Sequence, residues 1–290
     1  MKIAIASGKG GTGKTFVSTN LFYSLQEAGM TVSLVDCDAE EPNVAEFVKG
    51  DGVTLKTIKQ HVPVIDVNQC VFCGKCQEYC NYHAIVFLQH SRFIQVVEDL
   101  CHDCGACLVA CEYGAISEKE IEIGEISSFH VYNHSEIIEG RAHVGQFSPV
   151  PIIKNAIREL NGDAVAILDS PPGISCPFIA TVDKADFTVL VTEPTPFGLN
   201  DLKLSVATLK HLGKPFGVII NRAGIGNRDV HKWLEVNSIP LLLEIPFDKE
   251  IARIYSEGLL LAESSPAYRI LFAALFNSID NLVKDRCFNP

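Results

Sequence analysis

Gly8-Lys9-Gly10-Gly11-Thr12-Gly13-Lys14-Thr15 decides how this chain is read. It follows the apolar run Ile3-Ala4-Ile5-Ala6 and precedes Phe16-Val17-Ser18-Thr19-Asn20-Leu21-Phe22. That order predicts a strand, a glycine loop and a helix over Phe16 to Glu27. The spacing fits G-x-x-x-x-G-K-[ST]. Gly8, Gly10, Gly11 and Gly13 let the backbone curl, so that its amides, that of Thr12 included, point at phosphate oxygens. Lys14 is placed to reach the terminal phosphates, and the Thr15 hydroxyl suits a Mg²⁺ coordination position. The helix that follows adds its N-terminal end to the anion site.

Outward from the loop, the totals narrow the classes. A chain of 290 residues allows one large domain or two small ones. With 35 acidic and 24 basic residues, a net charge of −11, no general nucleic-acid binding is expected. No apolar stretch approaches a membrane span, so no stable membrane insertion is expected. Met1-Lys2-Ile3 runs straight into the first strand, which predicts no signal peptide and a cytoplasmic setting. Eight of the eleven cysteines sit in two tight clusters, the pattern of metal ligation in a reducing compartment rather than of disulfides.

Further strands are predicted to end in polar residues. Thr31 to Val35 delivers Asp36-Cys37-Asp38, and Ala164 to Leu168 delivers Asp169, followed by Ser170-Pro171-Pro172-Gly173. Phe187 to Thr192 is another strand, Phe216 to Ile220 ends in Asn221-Arg222, and Leu241 to Leu243 leads to Ile245-Pro246-Phe247-Asp248. Ligands of open α/β sheets bind at such carboxyl ends. Helices are expected over Pro151 to Leu160, Gly198 to Leu212 and Pro266 to Val283. The last of these is apolar on more than one face, and Lys284 and Arg286 supply little of the basic charge a membrane anchor needs, so packing onto the sheet is expected. Gly50 to His61 reads as polar and turn-like, with a short helix allowed. Glu118 to Gln146 reads as short strands or a hairpin. His130, His134 and His143 lie there, and His-x3-His converges only on a helix, so exposed or hydrogen-bonded roles are expected of them.

The loop with its early Lys9, the Asp36-Cys37-Asp38 turn and Asp169-Ser170-Pro171-Pro172-Gly173 together resemble the MinD/ParA family of deviant Walker ATPases. The resemblance implies a P-loop NTPase with a mostly parallel sheet flanked by helices. It implies a homodimer that forms with ATP and hydrolyses it to ADP and phosphate, with Lys9 crossing to the partner's nucleotide. Asp38 would orient the attacking water and stand with Thr15 at the Mg²⁺ site, Asp169 would stand at the Walker B position and hold Mg²⁺, and Gly173 would sense the γ-phosphate. Asn221 would contact the adenine edge, Arg222 would stack on the base or face the partner, and Pro246 and Phe247 would wall the base. Cys176 matches in position a cluster cysteine of the related nitrogenase iron protein. It reads first as a buried, inert thiol, with a cluster or transfer ligand and then a redox thiol as the alternatives.

The second motif is doubled. Cys70-x2-Cys73-x2-Cys76-x3-Cys80 recurs 31 residues later as Cys101-x2-Cys104-x2-Cys107-x3-Cys111. The tails echo each other as Cys80-Asn81-Tyr82-His83-Ala84-Ile85 and Cys111-Glu112-Tyr113-Gly114-Ala115-Ile116. Paired cysteines also make Cys₄ zinc sites. The double run of four resembles bacterial two-[4Fe–4S] ferredoxins over Val62 to Ser117, though Asn81 and Glu112 stand where a proline is expected. The resemblance implies one cluster on Cys70, Cys73, Cys76 and Cys111 and the other on Cys101, Cys104, Cys107 and Cys80.

The expected organisation is therefore an ATPase domain in two segments, 1–61 and 118–290, the second opening with a hairpin, split by a ferredoxin-like insertion at 62–117. The expected function is a Mg-dependent ATPase carrying two [4Fe–4S] clusters and serving iron–sulfur or metallocofactor assembly with a protein partner. Two alternatives stand beside it. One is ATP-gated electron transfer to a partner protein, and the other is a MinD/ParA-like positioning ATPase with structural clusters.

Overall fold

A computed structural model describes residues 1–132, 134–160, 162 and 165–288, with the side chains of 286–288 left out. Ala164 and the Arg286 side chain, both used in the sequence reading, lie outside the described residues. The strands are β1 (Lys2–Ala6), β2 (Val32–Asp36), β3 (Asp51–Ile65), β4 (Ile85–Leu88), β5 (Phe93–Val96), β6 (Ile116–Val131), β7 (Ser135–Ala142), β8 (Val165–Asp169), β9 (Phe187–Thr192), β10 (Phe216–Ala223) and β11 (Leu241–Pro246).

The chain divides into two compact units. One comprises Met1–Lys56, Ile126–Arg141 and Val150–Pro290, and the other Thr57–Glu125 and Ala142–Pro149. Among the described residues nine strands share one sheet in the order β11-β10-β9-β1-β8-β2-β7-β6-β3. Every pair from β11 through β7 is parallel. Strands covered by helices on both faces need apolar residues at nearly every position. β1 and β2 meet that need, since Ile3, Ala4, Ile5 and Ala6 are buried and so is all of Val32–Asp36.

The helix Lys14–Glu27 returns from the phosphate loop against the sheet. Its Phe16 and Phe22 join Ile3, Ile5, Leu34 and Ile167 in one core. The last helix, Pro266–Phe288, closes that layer with Phe272, Leu275 and Ile279, and Phe272 meets the Phe16 ring edge-on at 6.2 Å. Removing a buried ring of this kind costs about 3–5 kcal/mol. Phe272, Leu275, Phe276 and Ile279 of this helix are thus spent on packing, while Ile270 stays exposed. Among the described residues no helix is long and apolar enough to cross a membrane.

Two stretches differ from the sequence reading. The segment after Gly50 is strand β3 rather than a turn, and the short helix lies earlier, at Val44–Phe47. The first seven residues of β3 are all exposed, so that part carries no burial alternation for a pattern to detect, and buried positions alternate only from Ile58 through Gln60 to Val62. Ile116–Val131 is one long strand rather than several short ones, and it neighbours the next strand, β7, in the sheet, as the hairpin alternative expected.

The second unit shows the duplication in its backbone. Residues with positive φ recur at the 31-residue offset: Phe72 and Asp103, Gly74 and Gly105, His83 and Gly114. Gly74 and Gly105 each cap a short helix, Lys75–Glu78 and Ala106–Ala110. Strands β4 and β5 pair antiparallel. Cys76, Cys107 and Ile85 form the small core, with Ile65, Ile94 and Ile116 against it.

Candidate functional site

The carboxyl ends of β1, β2, β8 and β10 gather the residues singled out in the first unit. After β1 the loop runs through Gly8, Lys9, Gly10, Gly11 and Thr12 to Gly13, which stands at φ +97°. A Cβ at Gly13 would lie 2.3 Å from the Asn221 side-chain amide, so only glycine fits there. Asn221 Nδ2 donates to the Thr12 carbonyl at 2.8 Å, and its Oδ1 accepts from the Arg222 amide at 2.9 Å. The predicted base-reading amide thus also ties the phosphate loop to β10.

Thr15 donates its hydroxyl to Asp169 Oδ2 at 2.7 Å. Asp169 Oδ1 is buried and has no hydrogen-bond partner among the described residues. Asp169 and Lys14 are 2% and 8% exposed. Burial lowers the Lys14 pKa, opposed by Asp169, Asp38 and Asp36. Burial raises Asp169, with its hydrogen bond from Thr15 pulling the other way.

The two acids of the turn after β2 have separate tasks. Asp36 is fully buried and accepts from three backbone amides, Asp38 at 3.0 Å, Asn43 at 2.8 Å and Val44 at 3.0 Å. It builds the turn. Asp38 keeps its carboxylate half-buried, with Lys14 as the opposing cation, and burial pushes its pKa up to about 6. A divalent cation at this cluster would favour the ionised forms again. The Cys37 amide donates to the Asp169 carbonyl at 2.9 Å, joining the ends of β2 and β8. The Gly173 amide donates to the Ser7 carbonyl at 3.1 Å, which links the segment after β8 to the start of the loop.

Beside the loop lies a cavity of about 320 Å³, lined by Gly11, Gly13, Asn221, Arg222, Pro246 and Phe247 among others. All six were singled out from sequence. Phe16, Asp248, Ile251 and Tyr255 line it as well and were missed. The last two sit on the helix Lys249–Ser256, whose spacing reads only as an amphipathic helix. Tyr255 stacks on Phe47 at 4.7 Å, a contact no local pattern announces. Glu193 was also missed as a partner. Its Oε2 lies 3.2 Å from Lys9 Nζ, and its Oε1 accepts from Arg222 Nη1.

In the second unit the eight cysteines fall into two hollows. One is lined by Cys70, Cys73, Cys76 and Cys111, the other by Cys80, Cys101, Cys104 and Cys107. Among the described residues no three His, Cys, Asp or Glu close on a point as ligands of one ion do. Backbone amides of Phe72 and Ala84 point at Cys70 Sγ and Cys80 Sγ, at 3.4 and 3.3 Å. Burial pushes the Cys107 thiol up to about 11 and raises Cys76 as well. Cys176 is exposed at the start of the helix Cys176–Asp183. His130 lies on β6, and His134 sits at φ +57° just before β7.

Comparison with known proteins decides the family. The model of the CobQ/CobB/MinD/ParA nucleotide binding domain matches residues 3–261. The chain belongs to that family. As a MinD/ParA-type P-loop protein with an intact phosphate loop, it is an ATP hydrolase. An uncharacterized protein of Methanocaldococcus jannaschii, MJ0579, is 30% identical, covering 89% of this chain and 90% of its own. An iron-sulfur cluster carrier protein of Pyrococcus horikoshii is 23% identical over 98% of this chain and 87% of its own. The structure of the septum site-determining protein MinD of Pyrococcus horikoshii, complexed with Mg-ADP, superposes with a TM-score of 0.59 at 23% identity, covering 97% and 96% of the two chains. The MinD/ParA architecture of a mostly parallel sheet between helices is therefore shared.

Proposed function

We propose that this MinD/ParA-type ATPase carries two [4Fe–4S] clusters and couples ATP binding and hydrolysis to iron–sulfur or metallocofactor assembly. The partition of the cysteines carries the reading. Each hollow takes three cysteines from one run and the fourth from the other, the distribution of two-cluster ferredoxins. Thiolates of a zinc site, at ~2.3 Å from one ion, lie within about 4 Å of each other. A cubane binds each thiolate at its own corner and suits ligands spread around a hollow. Thiols held high by burial become thiolates when a metal binds. The carrier protein of Pyrococcus horikoshii, similar over nearly the whole chain, favours assembly. The insertion is read as ferredoxin-like over 62–117, between ATPase segments 1–61 and 118–290.

In the first unit, Lys14, Thr15, Asp38 and Asp169 bind Mg-ATP. The unpartnered Asp169 Oδ1 beside the Thr15 hydroxyl suits a hard cation. Bound there, Mg²⁺ would neutralise charge developing on the transferred phosphoryl group. Asp38 orients the attacking water. Asn221, Arg222, Pro246 and Phe247 hold the base, and the Gly173 amide exchanges the Ser7 carbonyl for the γ-phosphate. Two chains meet around ATP, each placing Lys9 on the other's nucleotide. The setting is cytoplasmic, with a protein as client and no nucleic acid.

One observation favours a second reading, ATP-gated electron transfer. Each hollow supplies a complete set of four cysteines, which suits clusters that stay in place.

The test is elemental and spectroscopic. Anaerobically isolated protein should hold about eight irons and eight acid-labile sulfides per chain, with broad absorption at about 400 nm that dithionite bleaches. Zinc in the hollows, or protein without this absorption after iron–sulfur reconstitution, would overturn the cluster reading.

A further inference from the structure

We propose that Glu193 is a positioning residue that holds Lys9 on its own chain and sets how much ATP is needed to free it. The proposal rests on the reading of Lys9 as the lysine that crosses to a partner's nucleotide.

Glu193 follows β9, and its side chain is only 8% exposed. A carboxylate buried to that extent needs cationic or hydrogen-bonding partners. It has one on each oxygen: Lys9 from the phosphate loop on Oε2 and Arg222 from the rim of the nucleotide cavity on Oε1. The arrangement is built into the backbone. Arg222 sits at φ +54°, a conformation that costs a non-glycine residue energy. Four residues on, Gly226 comes so close to the Pro194 carbonyl that a Cβ would lie 1.5 Å from its oxygen. The loop after β10 is thus seated directly on the segment carrying Glu193.

Lys9 cannot serve Glu193 and a phosphate of another chain together. Its side chain is 33% exposed, so it has a path outward. Removing one partner of a buried ion pair ordinarily leaves an uncompensated charge, at a cost that would pin Lys9 in place. Arg222 changes that balance. When Lys9 leaves, the carboxylate keeps its second cation, and the release becomes affordable to nucleotide binding. A dimer frees two such lysines, so the effect of Glu193 enters twice.

The test uses Glu193→Gln, which keeps the side chain's size and an acceptor for Arg222. Dimer fraction is followed by light scattering against Mg-ATP concentration in an Asp38→Ala background, where ATP persists. Glu193→Gln should lower the half-point by at least about fivefold. ADP affinity of the monomer should stay within about twofold, which shows an intact cavity. The effect should vanish when Lys9→Ala is also present, because Glu193 acts through Lys9. An unchanged or raised half-point overturns the proposal, as does an equal effect with and without Lys9. If Lys9→Ala weakens dimerisation while Glu193→Gln changes nothing, the crossing lysine stands and the latch fails. If Lys9→Ala leaves dimerisation untouched, the crossing lysine fails and the latch with it. Should Glu193→Gln not fold, Glu193→Asp withdraws the carboxylate by one methylene and should shift the half-point in the same direction.

Discussion

Thr15 and Asp169, 154 positions apart in sequence, are joined by a 2.7 Å hydrogen bond from the Thr15 hydroxyl to Oδ2 of Asp169. The bond fixes the start of the loop helix against the end of β8. It also orients the carboxylate, leaving its other oxygen buried and without a partner. A side chain so placed is either a standing cost to the fold or half of a cation site.

Asp169→Asn separates these outcomes. The amide retains an acceptor for Thr15 but loses the charge that holds a cation. The Mg²⁺ concentration for half-maximal ATP hydrolysis should rise by roughly 10–100-fold, while the thermal midpoint of the nucleotide-free protein holds or rises. An unchanged Mg²⁺ requirement would remove Asp169 from the cation site.

The turn after β2 gives a paired prediction. Asp36→Ala leaves three backbone amides without acceptors and should cost at least about 3 kcal/mol, read as a fall of ~5 °C in thermal midpoint. Asp38→Ala removes a carboxylate that burial already disfavours, so the midpoint should move little. Its hydrolysis rate should fall by about 100-fold or more with ATP still bound. The reverse pattern, stability resting on Asp38 and turnover surviving its loss, would exchange the two roles.

How far the sequence could carry the account depends on whether a residue's partner is local. The phosphate loop, the Asp36–Asp38 turn and the doubled cysteine runs are short patterns, and each was legible. The segment 51–57 was not, because its side chains are all exposed and its strand character comes from its neighbour in the sheet. Glu193 escaped notice because Lys9 lies 184 residues away. The sequence reading singled out Asp38 through the family resemblance but gave Asp36 no task of its own, since nothing local shows that Asp36 faces the amides of Asn43 and Val44. Asn221 was singled out as a candidate base contact, but its bond to Thr12, 209 residues away, was not legible.

The partition of the cysteines is open to a sorting experiment. Cys80→Ala with Cys101→Ala places both losses in one hollow and should leave about four irons per chain. Cys80→Ala with Cys70→Ala strikes both hollows and should leave far fewer. If the two double variants retain equal iron after identical anaerobic reconstitution, the crossed assignment is wrong.

Coupling between nucleotide and clusters is the central claim, and coupling free energy must run both ways. The direct measurement is one anaerobic assay of cluster-loaded protein with a candidate acceptor apo-protein, with and without Mg-ATP, following bound iron and cluster oxidation state together. The assembly account predicts that Mg-ATP changes the rate at which iron, or an intact cluster, moves to the acceptor, and that Asp38→Ala blocks the part that needs turnover. If Mg-ATP leaves bound iron unchanged and alters only the rate or potential of cluster reduction, the assembly account is contradicted and electron transfer takes its place. A null response of both quantities across physiological acceptors would contradict coupling itself and leave the clusters a structural role.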